Sequence, residues 1–260
     1  MEELVGHVFG PRPLRISAEG VADFVEVTGD DLARWTETAP PGFAAAALFA
    51  VAPELLARLT DRFVVHGEQT FSWHRPLVVG SVLEVTGTLT RARERAGSLF
   101  LGFELEASDD QGPVLEGTSV FVVPGSGPRP AAEERVEPHH TDRGSPAEGQ
   151  VAASRADLVR YAAATRDWNP IHWDHQAAVA AGFPGVVVHG LLQTAWVLAA
   201  AAQRASGSRP LAQARVRFRS PLLAAVPATV TLTGEGSMFE GELASGPQTH
   251  LTARIEIADG

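Results

Sequence analysis

Two stretches of the chain are apolar at nearly every position, and each is followed by segments in which apolar and polar residues alternate. The apolar runs, residues 43–59 (containing Pro53) and 190–205, are long and rich in alanine, which predicts helices. Alternation with a period of two predicts strands over 70–73, 82–89, 99–107 and 115–123, and again over 213–218, 228–232, 236–243 and 250–257. Such strands suit a sheet with one face against a helix and the other in water. A shorter helix precedes each long one, with Ser17 or Ser154 as its N-cap. In the second, Asp157 holds the capping-box position and Leu158, Tyr161 and Ala162 share one face. The order is α+β, and it occurs twice.

The two halves also align residue by residue. With Ser17 laid on Ser154, Val21 meets Leu158, Phe24 meets Tyr161, Thr28 meets Thr165 and Asp30 meets Asp167, all without a gap. Further on, Gly42-Phe43 meets Gly182-Phe183, and Arg75-Pro76-Leu77 meets Ser220-Pro221-Leu222. The chain reads as a tandem duplication. Residues 124–149 hold Pro, Gly, Ser and charges without apolar period, so they read as a linker between units 1–123 and 150–260. The pair His139-His140 falls there and reads as solvated rather than metal-binding.

Composition narrows the chemistry. There is no cysteine, which removes disulfides, thiolate metal sites and a cysteine nucleophile together. All 21 basic residues are arginine, so Schiff-base chemistry on lysine is also out. A formal charge of −10 argues against nucleic acid as a partner. No apolar stretch approaches the ~20 residues of a membrane span, and the first residues lack the basic and apolar regions of a signal peptide. The expectation is a cytoplasmic protein that neither binds nucleic acid nor enters a membrane.

The candidate chemistry lies in Thr165-Arg166-Asp167-Trp168-Asn169-Pro170-Ile171-His172, followed by Val188-His189-Gly190-Leu191. These segments place a carboxylate and an imidazole around an Asn-Pro turn, next to the amide-rich start of a helix. Addition of water to a polarised double bond needs such a set. In this wording, with Ala181-Gly182-Phe183 between, the chain resembles the MaoC-like, R-specific enoyl-CoA hydratase family. The first half, from His66-Gly67-Glu68-Gln69 to His74-Arg75-Pro76-Leu77, resembles the dehydratase-like N-terminal half of its two-unit members. The resemblance implies a tandem hot-dog fold, each half a long helix wrapped by a curved antiparallel sheet. It implies an acyl-CoA or acyl-carrier-protein thioester as substrate, a homodimer, and no metal, flavin or nicotinamide cofactor.

By the same resemblance, Asp167 and His172 grip one water, activating its oxygen for attack at Cβ of a 2-enoyl thioester and returning a proton at Cα. The Gly190 N–H would hold the thioester oxygen at the positive end of its helix. Asn169 would brace the loop through its own backbone. His189 has two readings, substrate contact or support of a neighbouring carbonyl, of which support is favoured. In the first half Trp35 stands opposite His172, so one site per chain is expected, with Asp30 reduced to a turn acceptor. The family pattern has glycine before the catalytic Asp, as at Gly29. Arg166 departs from it, and would be strained if the position demands positive φ.

Other candidates carry less. His175, three residues after His172, lacks a convincing third metal ligand. Arg215, Arg217 and Arg219 share one sheet face and either grip coenzyme A phosphates or form surface ion pairs. Trp168, Trp173 and Trp196 line an acyl pocket or pack the core. The four alanines 44–47 leave room for a bulky acyl group or permit tight packing. Two rival functions remain: a hot-dog thioesterase, which would not need the Asn-Pro-Ile-His arrangement, and a non-catalytic thioester-binding partner.

Overall fold

The computed structural model describes residues 1–59, 63–125 and 149–258. Most of the 124–149 segment, His139-His140 included, lies outside them. Ten strands form one antiparallel sheet: β1 Val8–Arg15, β2 Val65–Trp73, β3 Val82–Arg95, β4 Ser98–Asp109, β5 Gly112–Val123, β6 Gln150–Val151, β7 Leu211–Phe218, β8 Ala228–Glu235, β9 Met238–Ser245 and β10 Gln248–Ile257. Their order is β1-β3-β4-β5-β2-β7-β10-β9-β8-β6. Each half therefore repeats one strand order, and the two meet edge to edge through β2 and β7, with Glu68 opposite Arg217 and Thr70 opposite Arg215.

The alternating pattern produces this sheet directly. Along β5, Leu115, Gly117, Ser119, Phe121 and Val123 are all buried at period two, facing the helical layer. Strand β1 was not among the expected strands. Pro11 and Pro13 argue against a strand, but β1 lies at the end of the sheet and carries a bulge between Phe9 and Arg12, where missing N–H groups cost little.

Among the described residues, five α-helices form the other layer: α1 Ala18–Thr28, α2 Ala44–Leu56, α3 Arg155–Thr165, α4 His175–Ala180 and α5 Gly190–Ala202. α1 and α3 start at Ser17 and Ser154, whose side chains accept from the Gly20 and Asp157 N–H groups, and Asp157 completes a capping box. α2 packs on β1, β3 and β4, while α5 packs on β7 to β10. With the 3-10 turns at both its ends, α2 makes a helical run Pro41–Leu59 of 19 residues, apolar enough by composition to span a bilayer. This corrects the sequence reading that no stretch approaches that length. The run is mostly buried, as expected of a helix wrapped by a sheet.

The alanines have a packing function. Ala44, Ala45, Ala46 and Ala47 are all buried, and the turn before them presses on α5. A Cβ added to Gly42 would lie 2.8 Å from the Cβ of Ala195. Small residues here let the helical elements of the two halves touch.

Candidate active site

The loop after α3 begins with Arg166, whose φ of 66° is left-handed and whose N–H donates to the Ala162 carbonyl at 2.7 Å. Gly29 ends α1 in the same way, at φ 69°. The loop thus follows the course that glycine allows, and arginine bears the strain of roughly 1–2 kcal/mol. Glycine would relieve this at an entropic cost of about 0.5–1 kcal/mol. Arg166→Gly is therefore expected to leave stability unchanged or raise it by up to about 1.5 kcal/mol, checked by denaturant unfolding. A clear loss would mean that the Arg166 side chain has a role the strain argument omits.

The next turns bring the two key side chains together. Asn169 Oδ1 accepts from the Ile171 N–H at 3.4 Å, the local bracing expected of it, and Pro170–His172 forms a short 3-10 turn. Val187 then orients His172. Its N–H donates to the Ile171 carbonyl at 3.1 Å, and its carbonyl accepts from His172 Nδ1 at 2.7 Å. A carbonyl can only accept, so the proton sits on Nδ1 and Nε2 keeps its lone pair. Burial lowers the His172 pKa to about 4, the Val187 carbonyl opposing this. His172 is neutral near pH 7, with Nε2 as an acceptor.

Asp167 is only 6% exposed. Burial raises its pKa to about 7, against a long 3.4 Å hydrogen bond from the Asn169 N–H. Among the described residues, Asp167, His172 and His189 bring ligating atoms within 4.8 Å of one another. Two ordinary hydrogen bonds from one water, at a tetrahedral angle, put their partners about 4.5 Å apart. Asp167 and His172 thus have the spacing to share a water. Metal ligands in this trio would have to include two stacked imidazoles. The rings lie 3.9 Å apart at 27°, so their in-plane lone pairs run nearly parallel and converge poorly.

His189 supports its neighbours. It is fully buried, stacks on His172, and its Nε2 lies 3.2 Å from the Asp167 carbonyl, to which it donates. Burial and the adjacent His172 hold its pKa well below the usual imidazole value. Next to it, α5 starts without a side-chain cap. Among the described residues, none accepts from the N–H of Gly190 or Leu191, whereas Leu192 and Gln193 donate to the His189 carbonyl. Gly190 is also where bulk is excluded, since an added Cβ would lie 2.9 Å from the Phe218 ring.

These groups open on a cavity of about 320 Å³ that both halves line. Asp167, His172 and Gly190 form one wall, and Phe49, Leu56, Val65 and Phe121 come from the first half. The alanines 44–47 are absent from it, so the four-alanine segment does not shape this cavity; Phe49 and Leu56, further along α2, do. Nor do the tryptophans line it. Trp196 is core, while Trp168 and Trp173 are 50% and 40% exposed. The arginine stripe divides: Arg215 and Arg217 both pair with Glu68, at 2.7 and 3.0 Å, and Arg219 reaches the cavity.

In the first half the matching groups are placed differently. Asp30 accepts from the Asp31 N–H at 2.8 Å, a turn contact, and Trp35 is buried where the second half has His172. Sequence reasoning missed Val187, Phe218 and His66, which also lines the cavity. Gly67 was the available signal for His66: a glycine inside a strand marks a bulge, and β2 has one between His66 and Glu68.

Comparison with known proteins gives this geometry a family. A MaoC-like domain model matches residues 136–244, and a FAS1-like dehydratase domain region matches 3–116. A UPF0336 protein from Streptomyces coelicolor is 30% identical over 128 residues, 43% of this chain and 85% of that protein. The 3-hydroxyacyl-thioester dehydratase X of Mycobacterium tuberculosis is 27% identical over 251 residues, covering 93% of this chain and 86% of that protein. The crystal structure of HtdX from Mycobacterium tuberculosis superposes with a TM-score of 0.76 at 24% identity, covering 97% of this chain and 100% of that one. The fold is a double hot-dog. The chain thus carries a FAS1-like dehydratase region followed in tandem by a MaoC-like dehydratase domain.

Proposed function

We propose that the protein is a hydro-lyase of acyl thioesters that adds water across the C2=C3 bond of a trans-2-enoyl thioester to give the 3R-hydroxyacyl product, or runs the reverse dehydration. One observation carries the reading: a buried carboxyl and a buried, neutral imidazole face one cavity, beside a helix start with free N–H groups. His172 Nε2 takes a proton from the water as its oxygen bonds to C3. Asp167, whose pKa burial raises to about 7, delivers its proton to C2 when protonated, and the N–H groups of Gly190 and Leu191 hold the negative charge that gathers on the thioester oxygen. Proton return from His172 to Asp167 resets the pair. The handedness rests on the family resemblance. Catalysis belongs to unit 150–260, with unit 1–123 as a non-catalytic wall of the acyl cavity, and exposed Arg219 points to a phosphate-bearing carrier at the mouth.

The test is to incubate the enzyme with trans-2-enoyl-CoAs of graded chain length. Loss of enoyl-thioester absorbance without free thiol is expected. Thiol release would instead mark a thioesterase, and no change with any chain would mark a binding protein.

The pH profile follows from the two pKa shifts. Hydration needs His172 unprotonated and Asp167 protonated, so kcat/KM should fall as pH drops through about 4 and as it rises through about 7. A profile flat from pH 5 to 9 would contradict the assigned protonation states.

A further inference from the structure

The wall of the cavity carries a hydroxyl that the chemistry above leaves unused. Ser220 lines the cavity between Arg219 and Pro221 and is partly exposed. Side chains still alternate past the end of β7. Arg219 Nε donates to Thr252 Oγ1 at 3.2 Å, and Thr252 stands opposite Arg217 on the outer face of the sheet. Ser220 therefore falls on the face of Phe218, toward the cavity. The repeat places Arg75 opposite Ser220, and Arg75 is held by Asp109 at 2.6 Å, so the first half has no such hydroxyl at this point.

Its hydrogen bonds fix what the hydroxyl can still do. Ser220 Oγ lies 2.6 Å from the Thr249 carbonyl and 3.1 Å from His250 Nδ1. A carbonyl can only accept, so the single hydroxyl proton goes to Thr249, and His250 Nδ1–H must donate to Oγ. The backbone holds the same place, since the Arg219 and Ser220 N–H groups both donate to the His250 carbonyl, at 2.8 and 3.4 Å. One lone pair remains on Oγ. Ser220 is thus a fixed acceptor with no proton to give, and its complement is an N–H.

The carrier arm of a thioester supplies one. With the thioester oxygen at the Gly190 N–H, the acyl group abuts Phe218, which lies beside Gly190. The arm leaves toward Arg219 and passes Ser220 within the first few atoms beyond sulfur. In coenzyme A and in the arm of acyl carrier proteins, that stretch holds an amide N–H two carbons from the sulfur. Alternate residues of an extended strand stand roughly 6.6 Å apart, so Ser220 lies one such step beyond Phe218, about where that nitrogen falls.

We propose that Ser220 is a substrate-binding residue whose Oγ accepts a hydrogen bond from the amide N–H two carbons beyond the thioester sulfur, so that the protein selects thioesters carried on a cysteamine amide over those that lack the N–H. This rests on the thioester reading of the cavity.

The test compares an N-acetylcysteamine enoyl thioester with its oxygen-ester counterpart, in which the amide N–H is replaced by oxygen. Hydration is followed for both, and magnetic-resonance titration of their saturated analogues reads binding without turnover. Wild-type protein should favour the amide about 5-fold in kcat/KM, the worth of one neutral hydrogen bond. The difference should lie in KM, because the amide is remote from the reacting carbons. Ser220→Ala should weaken the amide about 5-fold and leave the ester within about twofold. Equal treatment of amide and ester by the wild type, a preference that survives Ser220→Ala, or a variant that weakens both compounds alike would overturn the proposal. The wild-type comparison alone decides the matter should the variant fail to fold. Tighter binding of the amide without hydration of either compound would refute the hydro-lyase reading and leave this one standing. Hydration without any preference would do the opposite.

Discussion

Asp167→Asn and His172→Ala are each expected to lower hydration of trans-2-enoyl-CoA by about 10²-fold or more while the protein stays folded. Each removes one end of the proton transfer: the group that delivers to C2, or the lone pair that draws from water. Because the two act as a pair, the double variant should be little worse than either alone. Burial makes Asn the gentler replacement, since desolvation raises the Asp167 pKa to about 7 and so favours a neutral group at this position. His172→Ala leaves the Val187 carbonyl without its donor and His189 without its stacking partner, so some loss of stability is expected alongside. Thermal unfolding measured with the kinetics separates the two effects. Near-wild-type turnover in either folded variant would end the proposed roles.

Gly190→Ala should be nearly as damaging, and a second substitution should undo it. The new Cβ would sit 2.9 Å from the Phe218 ring, which is tighter than real contacts allow, so the ring must move. Displaced, it enters the cavity that the thioester needs. A loss of about 10- to 100-fold in kcat/KM follows if the blocked approach removes much of one oxyanion contact. Phe218→Leu gives the methyl group space while leaving the Gly190 N–H in place. The Gly190→Ala/Phe218→Leu double variant should therefore recover most of the activity. Failure to recover would mean that glycine is needed for backbone conformation rather than clearance.

The fold was legible where burial on one face imposes a period. Alternation located eight of the ten strands, and the alanine-rich runs gave α2 and α5 to within a few residues. Ser17 and Ser154 cap their helices as their side chains suggest, and the repeat reappears as the mirrored strand order. Sequence reasoning failed where tertiary setting overrides a local rule. The sequence reading is silent on β1, whose two prolines are tolerated at the end of the sheet, and it leaves open the left-handed position that the α3 C-terminus gives Arg166. Trp168 and Trp173 look like core by type but belong to an exposed loop, where the Trp173 indole N–H donates to the Trp168 carbonyl. In the site, Asp167, Asn169, His172, His189 and Gly190 are neighbours in sequence and become neighbours in space. Phe218 and His66 come to the cavity through the meeting of β2 and β7, which no local pattern encodes, while Val187 is set by its hydrogen bonds within the motif loop.

A crystal structure of the Asp167→Asn protein with a trans-2-enoyl-CoA bound tests the central claim most directly. The expected complex has the thioester oxygen within hydrogen-bond distance of the Gly190 or Leu191 N–H, C3 facing His172 Nε2 across one water, and the acyl chain running toward Phe49 and Leu56. A thioester bound elsewhere, or with its carbonyl turned away from the start of α5, would contradict it.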